Sequence, residues 1–264
     1  MPIIRYICVM KDFCPLFSVI TVSYNAEACI APTLESVAQQ TCQDYEHVII
    51  DGASSDATLD IVSRLRTDHT VLYSERDAGI YDGMNKGLRI ARGRYVVFLN
   101  AGDTFASADT LAAYMDAVSA RPDIDIVYGD TVIVDQGGRI IRPRHLSVPE
   151  ILTHRSFSYG MLICHQAFMV RRSIAPSYDL TYHLSSDYDW TIRCIRATVP
   201  DRCHNLRRVV VKYLDNGASE KHKLRSLRER FRIMAVNYGW LVAIERHISF
   251  IPRVIRRRIG IFRN

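Results

Sequence analysis

Apolar positions in the first hundred residues come in short runs with two alternating periods. Four runs are β-rich: FSVITVSY from Phe17 to Tyr24, HVIID from His47 to Asp51, VLYSE from Val71 to Glu75 and YVVFLN from Tyr95 to Asn100. Between them the spacing becomes helical. Ala31 to Gln40 places Leu34, Val37 and Ala38 on one face. Leu59, Ile61, Val62 and Leu65 follow Ser54-Ser55-Asp56, a cluster of N-cap residue types. A third helical stretch runs from Ile80 to Ala91. Strand alternating with helix predicts parallel pairing in an α/β, doubly wound sheet. Ligands of such sheets bind at the carboxyl ends of the strands. Short and acidic side chains gather there: Tyr24-Asn25, Asp51-Gly52, Glu75 to Asp77 and Asn100 to Asp103.

The second half is less regular. Asp125 to Asp135, then Gln136-Gly137-Gly138, then RIIRP reads as a hairpin. Met161 to Arg172 reads as a strand, a helix is expected to begin near Ser186, and Val209 to Asp215 reads as another strand. After Asn216-Gly217 the chain is helical and Arg-rich, which divides it into 1–215 and a C-terminal helical extension, 216–264.

With 264 residues, 48% of them hydrophobic, the chain can bury one substantial core. Its net charge of +6 is uneven: 202–264 carries 16 Lys/Arg against 4 Asp/Glu, leaving 18 against 24 for the rest. The body is therefore mildly acidic and the C-terminal part strongly basic, which calls for an anionic partner or a solvated surface. Seven cysteines, an odd count without CxxC spacing, disfavour a disulfide framework or a structural zinc site and read as free thiols in a reducing cytoplasm. Arg5 and Lys11 interrupt the short apolar N-terminal stretch. No segment reaches the roughly 18 apolar residues of a spanning helix.

A GxxxxGK[ST] loop, a GxGxxG turn after the first strand and a GxSxG elbow are all missing, which disfavours a P-loop, a standard dinucleotide site and the usual hydrolase. Acidic residues at strand ends remain, and these can accept from a base N–H or hold a divalent cation beside phosphates. Five segments in order then carry a resemblance. They are SVITVSYNAE, DGASSDAT, RDAGIYDGMNKGLRIARGRYVVFLNAGD, CHQAFMVRR and HLSSDYDW. From about Phe17 to Asp215 the chain resembles the inverting glycosyltransferases of family 2, and within them the subgroup of colanic-acid and exopolysaccharide biosynthesis.

That resemblance implies a GT-A fold: a Rossmann-like, mostly parallel central sheet flanked by helices, here with a basic helical extension. It implies that Thr21, Ser23 and Asn25 border the nucleoside, Asp51 pairs with the base edge, and Asp77, Gly79 and Asn85 run beneath nucleotide and sugar. Each has a plainer reading as a loop, turn or core amide. Asn100-Ala101-Gly102-Asp103 stands where the family has its DxD motif, with Asp103 the sole carboxylate. Magnesium often uses one or two protein carboxylates beside phosphates and water, so Mg²⁺ or Mn²⁺ on Asp103 is the implied cofactor. Asp187 matches the family's catalytic base. Asp189, two residues on, faces away from it on a helix and reads as structural. His165 and Gln166 are expected on the acceptor side.

The implied reaction takes a sugar from a nucleotide-sugar donor, with UDP-sugars favoured, to a hydroxyl of a lipid-linked glycan in surface polysaccharide biosynthesis. The alternatives are transfer to polyprenyl phosphate and a non-catalytic nucleotide-sugar-binding protein. In the tail, Trp240, Leu241, Ile244, Ile248 and Ile251 recur at helical spacing before Pro252, and arginines interleave with apolar residues beyond it. This reads equally as an interfacial element for an anionic membrane and as a packed terminal helix with a solvated basic face. No nucleic-acid reader motif accompanies the charge. The expected location is cytoplasmic, with peripheral attachment to the inner face of the cell membrane as the lipid-facing variant.

Overall fold

The computed structural model describes residues 4–7, 14–215 and 223–248. Its centre is a ten-stranded sheet. The strands are β1 (Ile4–Ile7), β2 (Phe17–Ser23), β3 (Tyr45–Asp51), β4 (Thr70–Ser74), β5 (Tyr95–Phe98), β6 (Thr104–Phe105), β7 (Ile126–Val134), β8 (Ile140–Pro143), β9 (Phe168–Arg171) and β10 (Cys203–Leu214). They lie in the order β1-β4-β3-β2-β5-β9-β7-β10-β6, with β8 paired to β7. The pairs β4-β3, β3-β2 and β2-β5 are parallel, as is β7-β10. Antiparallel β9 joins the two parallel groups.

Every residue of β2 and β3 is buried, as strands covered on both faces must be. On one face α1 (Ile30–Ala38) and α2 (Thr58–Leu65) pack Ile30, Leu34 and Val62 against Ile49 and Leu72. On the other face α3 (Ile80–Ile90) lies close to the sheet. A Cβ on Gly83 would come within 2.6 Å of Val22, and one on Gly87 within 2.5 Å of Ile20. These two glycines set how deeply α3 sits, and hence where Tyr81 and Asn85 reach.

The strand-helix alternation, the β7–β8 hairpin and the helix at Ser186 follow the expectation from sequence. The segment Met161 to Arg172 differs. Only Phe168–Arg171 is strand, and His165–Ala167 forms a 3-10 turn before it. Polar side chains force this bend. The Gln166 amide donates to Asp103, and the Cys164 thiol donates to the Gln166 carbonyl. Ser54, expected as a helix cap, instead binds Asp51 and Asn25. Asp56 does accept from the Thr58 N–H at the start of α2.

Helix α4 (Thr110–Ala120) precedes β7, and α5 (Ser186–Arg196) precedes β10. The basic extension contributes α6 (Lys223–Tyr238) and a further helix, α7, over 240–248. Ile233, Met234 and Ala243 join the main core. Glu229 of α6 accepts the His183 and Leu184 N–H groups at the entrance to α5. The arginine-rich segment 249–264 lies outside the described residues, as does Cys8; the six described cysteines are free thiols.

Candidate active site

The carboxyl ends of β2, β3 and β4 meet at Asp51. Its carboxylate accepts from the Ser23 hydroxyl at 3.3 Å, the Ser54 N–H at 2.9 Å, the Ser54 hydroxyl, and the Ser74 hydroxyl at 2.7 Å. Those donors occupy all of a carboxylate's roughly four lone-pair positions. Asp51 is fully buried, so it binds three strand ends and the following loop into one floor. A base N–H could enter only by displacing the long Ser23 contact.

Asp77 stands above this floor with an oxygen to spare. One oxygen accepts the Gly79 N–H at 3.0 Å, and the other faces Gly52, where an added Cβ would lie 2.8 Å from it. Burial raises its pKa from the ordinary carboxylate value, with the Gly79 N–H opposing. Gly79 precedes α3 with φ of 123°, a left-handed conformation that costs other residues strain. Tyr24 projects beside Gly52 with 65% of its surface exposed, an aromatic face open to stacking.

The other sequence-predicted nucleoside residues have definite partners. The Thr21 hydroxyl points into the sheet, donating to Leu99 O at 2.8 Å and accepting from His47 at 2.9 Å. Asn25 adopts φ of 47° and accepts the Ser55 N–H at 2.9 Å. Asn85 clasps the backbone of Tyr178. Its amide donates to Tyr178 O at 3.0 Å, and its carbonyl accepts the Tyr178 N–H at 2.7 Å. It thereby fixes the loop that leads to α5.

Asp103 is buried in the turn that leaves β5. It accepts from Gln166 at 2.9 Å and from the Leu214 N–H at 3.0 Å, and burial pushes its pKa up to about 7. It does not cap the next helix, where Asp109 precedes Thr110. In the same turn the buried Asn100 Oδ1 has no hydrogen-bond partner among the described residues. No group of three or more His, Cys, Asp or Glu able to hold a metal occurs among the described residues. A desolvated carboxylate beside an unpartnered amide oxygen fits a cation that takes its other ligands from a diphosphate and water.

Asp187 lies in the first turn of α5, where Tyr81 donates to its Oδ1 at 3.0 Å. Asp189 instead pairs with Arg193 at 2.6 Å on the same helix. His165 is buried against Phe98 and Trp190, and its Nε2 meets the Tyr178 hydroxyl at 2.6 Å. Its Nδ1 has no partner among the described residues, and burial depresses its pKa to about 4. Asp103 and Asp187, 84 positions apart in sequence, are linked through packed side chains: Gln166 donates to Asp103, the adjoining His165 meets Tyr178, and Tyr178 stacks on Tyr81, the donor to Asp187. Burial, then the charges of Asp103, Cys164 and Asp187, push the Tyr213 phenol above its ordinary pKa. Tyr81, Tyr178 and Tyr213 were not singled out from sequence. Tyr81 lies within the conspicuous RDAGIYDG stretch, but nothing in its spacing marks it.

The site therefore offers a stacking face with a nearby carboxylate, a buried turn whose carboxylate suits a cation, and another carboxylate held by Tyr81 at the start of α5. The Glycosyl transferase family 2 model matches residues 18–178. A PGL/p-HBAD biosynthesis glycosyltransferase of Mycobacterium bovis is 35% identical over 187 residues, covering 68% of this chain and 70% of the relative. Among solved structures, S. aureus TarS 1–349 in complex with UDP-GlcNAc superposes with a TM-score of 0.71 at 20% identity, over 89% of this chain and 73% of that one. Mannosyltransferase PcManGT from Pyrobaculum calidifontis, in complex with GDP-Man and Mn²⁺, gives 0.59 at 19% identity, over 94% and 80%.

Proposed function

The chain belongs to glycosyltransferase family 2 and has its GT-A fold, and from that premise we propose an inverting transferase that moves a sugar from a UDP-sugar to a hydroxyl of a lipid-linked glycan in surface polysaccharide biosynthesis. The observation that supports this reading is the chain of packed side chains between Asp103 and Asp187: Gln166 donates to Asp103, the adjoining His165 meets the Tyr178 hydroxyl, and Tyr178 stacks on Tyr81, which donates to Asp187. An inverting transfer needs one base on the face of the anomeric carbon opposite the leaving group, and positive charge to stabilise the departing diphosphate. Asp187 takes the proton of the acceptor hydroxyl as its oxygen attacks that carbon. The bond to the diphosphate breaks, and the leaving group takes the electron pair. Base catalysis of this kind contributes about 10²–10⁴-fold.

Asp103, with Asn100 beside it, would hold Mg²⁺ or Mn²⁺, which supplies positive charge for the departing diphosphate. Tyr24 would stack on the base and Asp77 would accept its N–H. Asp51 keeps the floor of the site rigid, and Thr21, Ser23, Asn25, Gly79 and Asn85 hold the surrounding loops. His165 would border the acceptor side, and Gln166 orients Asp103. UDP is favoured because TarS carries UDP-GlcNAc in its complex.

A lipid-borne acceptor agrees with the exposed apolar face of α7, where Trp240 and Leu241 are 66% and 86% exposed beside Ile244 and Ile248. Five arginines follow between 253 and 263, so the partner surface is an anionic membrane. No helix among the described residues is long and apolar enough to cross a membrane. A thermal-shift panel of UDP- and GDP-sugars with and without Mg²⁺ or Mn²⁺ tests donor and metal together. Asp187→Asn should lower turnover by about 10²-fold or more while leaving donor binding intact; unchanged turnover would remove Asp187 as the base.

A further inference from the structure

Asp187 is held by a neighbour from a distant part of the chain. Tyr81, in the first turn of α3, donates its hydroxyl to Asp187 Oδ1 across 106 positions of sequence. Asp187 Oδ2 has no hydrogen bond among the described residues, which leaves it for an acceptor hydroxyl. The Tyr81 ring is itself fixed. It stacks on Tyr178 with centroids 5.7 Å apart and planes 21° from parallel. Tyr178 stacks in turn on Trp190 at 5.0 Å and 10°, and its hydroxyl meets His165. One turn after Tyr81 on α3, Asn85 clasps the Tyr178 backbone through both halves of its amide. Residues i and i+4 share a helix face, so α3 grips the Tyr178 loop and the base with one surface.

We propose that Tyr81 is a positioning residue for the transfer reaction: its hydroxyl orients the Asp187 carboxylate and stabilises its charged, proton-accepting form. This inference rests on Asp187 being the base. The direction of the bond follows from the surroundings. Burial and the adjoining Asp187 charge raise the Tyr81 phenol well above its usual range, so its proton stays on oxygen and is donated. Hydrogen bonds to ionised groups are stronger than neutral ones. Besides Tyr81 from α3, which bonds to it directly, the ionisable groups that feel the Asp187 charge are His165 from the turn before β9, Tyr178 from the loop before α5, and Tyr213 from β10. Burial keeps the imidazole uncharged at neutral pH and the phenols protonated, so Tyr81 is the neighbour that donates directly.

The test is Tyr81→Phe, which removes the hydroxyl and keeps the stacked ring, with Tyr178→Phe as the control. Turnover with saturating UDP-sugar should fall about tenfold. The acid limb of the rate profile should move up by roughly one pH unit, because the base loses a donor that favours its charged form. Donor KM and the thermal shift induced by UDP should match the parent protein. Tyr178→Phe should leave the acid limb in place. The proposal is overturned if Tyr81→Phe keeps the parental profile, loses rate without moving the limb, or fails to fold. It is equally overturned if Tyr178→Phe moves the limb to the same extent. Asp187→Asn separates the two layers. Unchanged turnover there removes the base itself, whereas an inactive Asp187→Asn with a parental Tyr81→Phe profile removes only the role of Tyr81.

Discussion

Lowering the pH should weaken metal-assisted donor binding through Asp103, and the size of the effect follows from its burial. A solvent-exposed aspartate ionises near 3.8; in the fold Asp103 is pushed up to about 7 because it is desolvated, with only the Gln166 and Leu214 N–H groups offsetting the loss. The sign is that of a raised acid. Folding prefers the protonated carboxyl, so this group's ionisation destabilises the metal-free fold progressively between about pH 4 and pH 7. A shift of three units corresponds to about 4 kcal/mol at neutral pH. A divalent cation bound beside the carboxylate offsets that cost, but below pH 7 it must first displace a proton. The metal-dependent gain in donor affinity should therefore grow about tenfold per pH unit up to about 7 and level off above it. Calorimetric titration of a UDP-sugar with and without Mg²⁺ between pH 5.5 and 8.5 measures this. A sugar diphosphate has no phosphate ionisation in that window, so the protein's own proton is read. Asp103→Asn should abolish the metal-dependent part. A metal-dependent gain that stays constant across the range in the parent protein would refute the assignment.

The exposed apolar face of α7 should hold the protein on vesicles containing anionic lipid; Trp240→Ser with Leu241→Ser should release it in a flotation assay, and equal binding to neutral vesicles would contradict the charge argument. Burial depresses His47 to about 3, so the fold excludes a proton that the unfolded chain takes up below about 6.5. Stability contributed by the neutral imidazole is present above that pH and lost as pH falls. Between pH 6 and pH 5 the parent should lose about 1.2 kcal/mol more than His47→Gln in urea denaturation, and identical slopes would show that His47 is not shielded.

Much of the site was legible because its chemistry is carried by short ordered segments. Asp51, Asp77 and Asp103 each follow a β-rich run, and a parallel sheet delivers all such ends to one edge. The reading of Asp187 as the base rests on HLSSDYDW and the family resemblance. What each residue touches was not legible. Asp51, read as a contact for the base, has its carboxylate occupied by Ser23, Ser54 and Ser74. Asn85, read beneath the sugar, spends its amide on Tyr178, 93 positions away. Tyr213 lies on a strand that sequence placed without marking any of its residues.

The hydrophobic pattern alone fixed the α/β alternation, because a strand covered on both faces and a helix covered on one need different periods of apolar residues. The order of its motifs pointed to the family. The tertiary structure decided which polar groups meet. Hydrogen bonding acts over about 3 Å whatever the separation along the chain, so only the packed arrangement of α3, α5 and the Tyr178 loop could bring the Tyr81 hydroxyl to Asp187. It also decided that Asp103 is buried and raised to about 7, since desolvation depends on how surrounding elements exclude water.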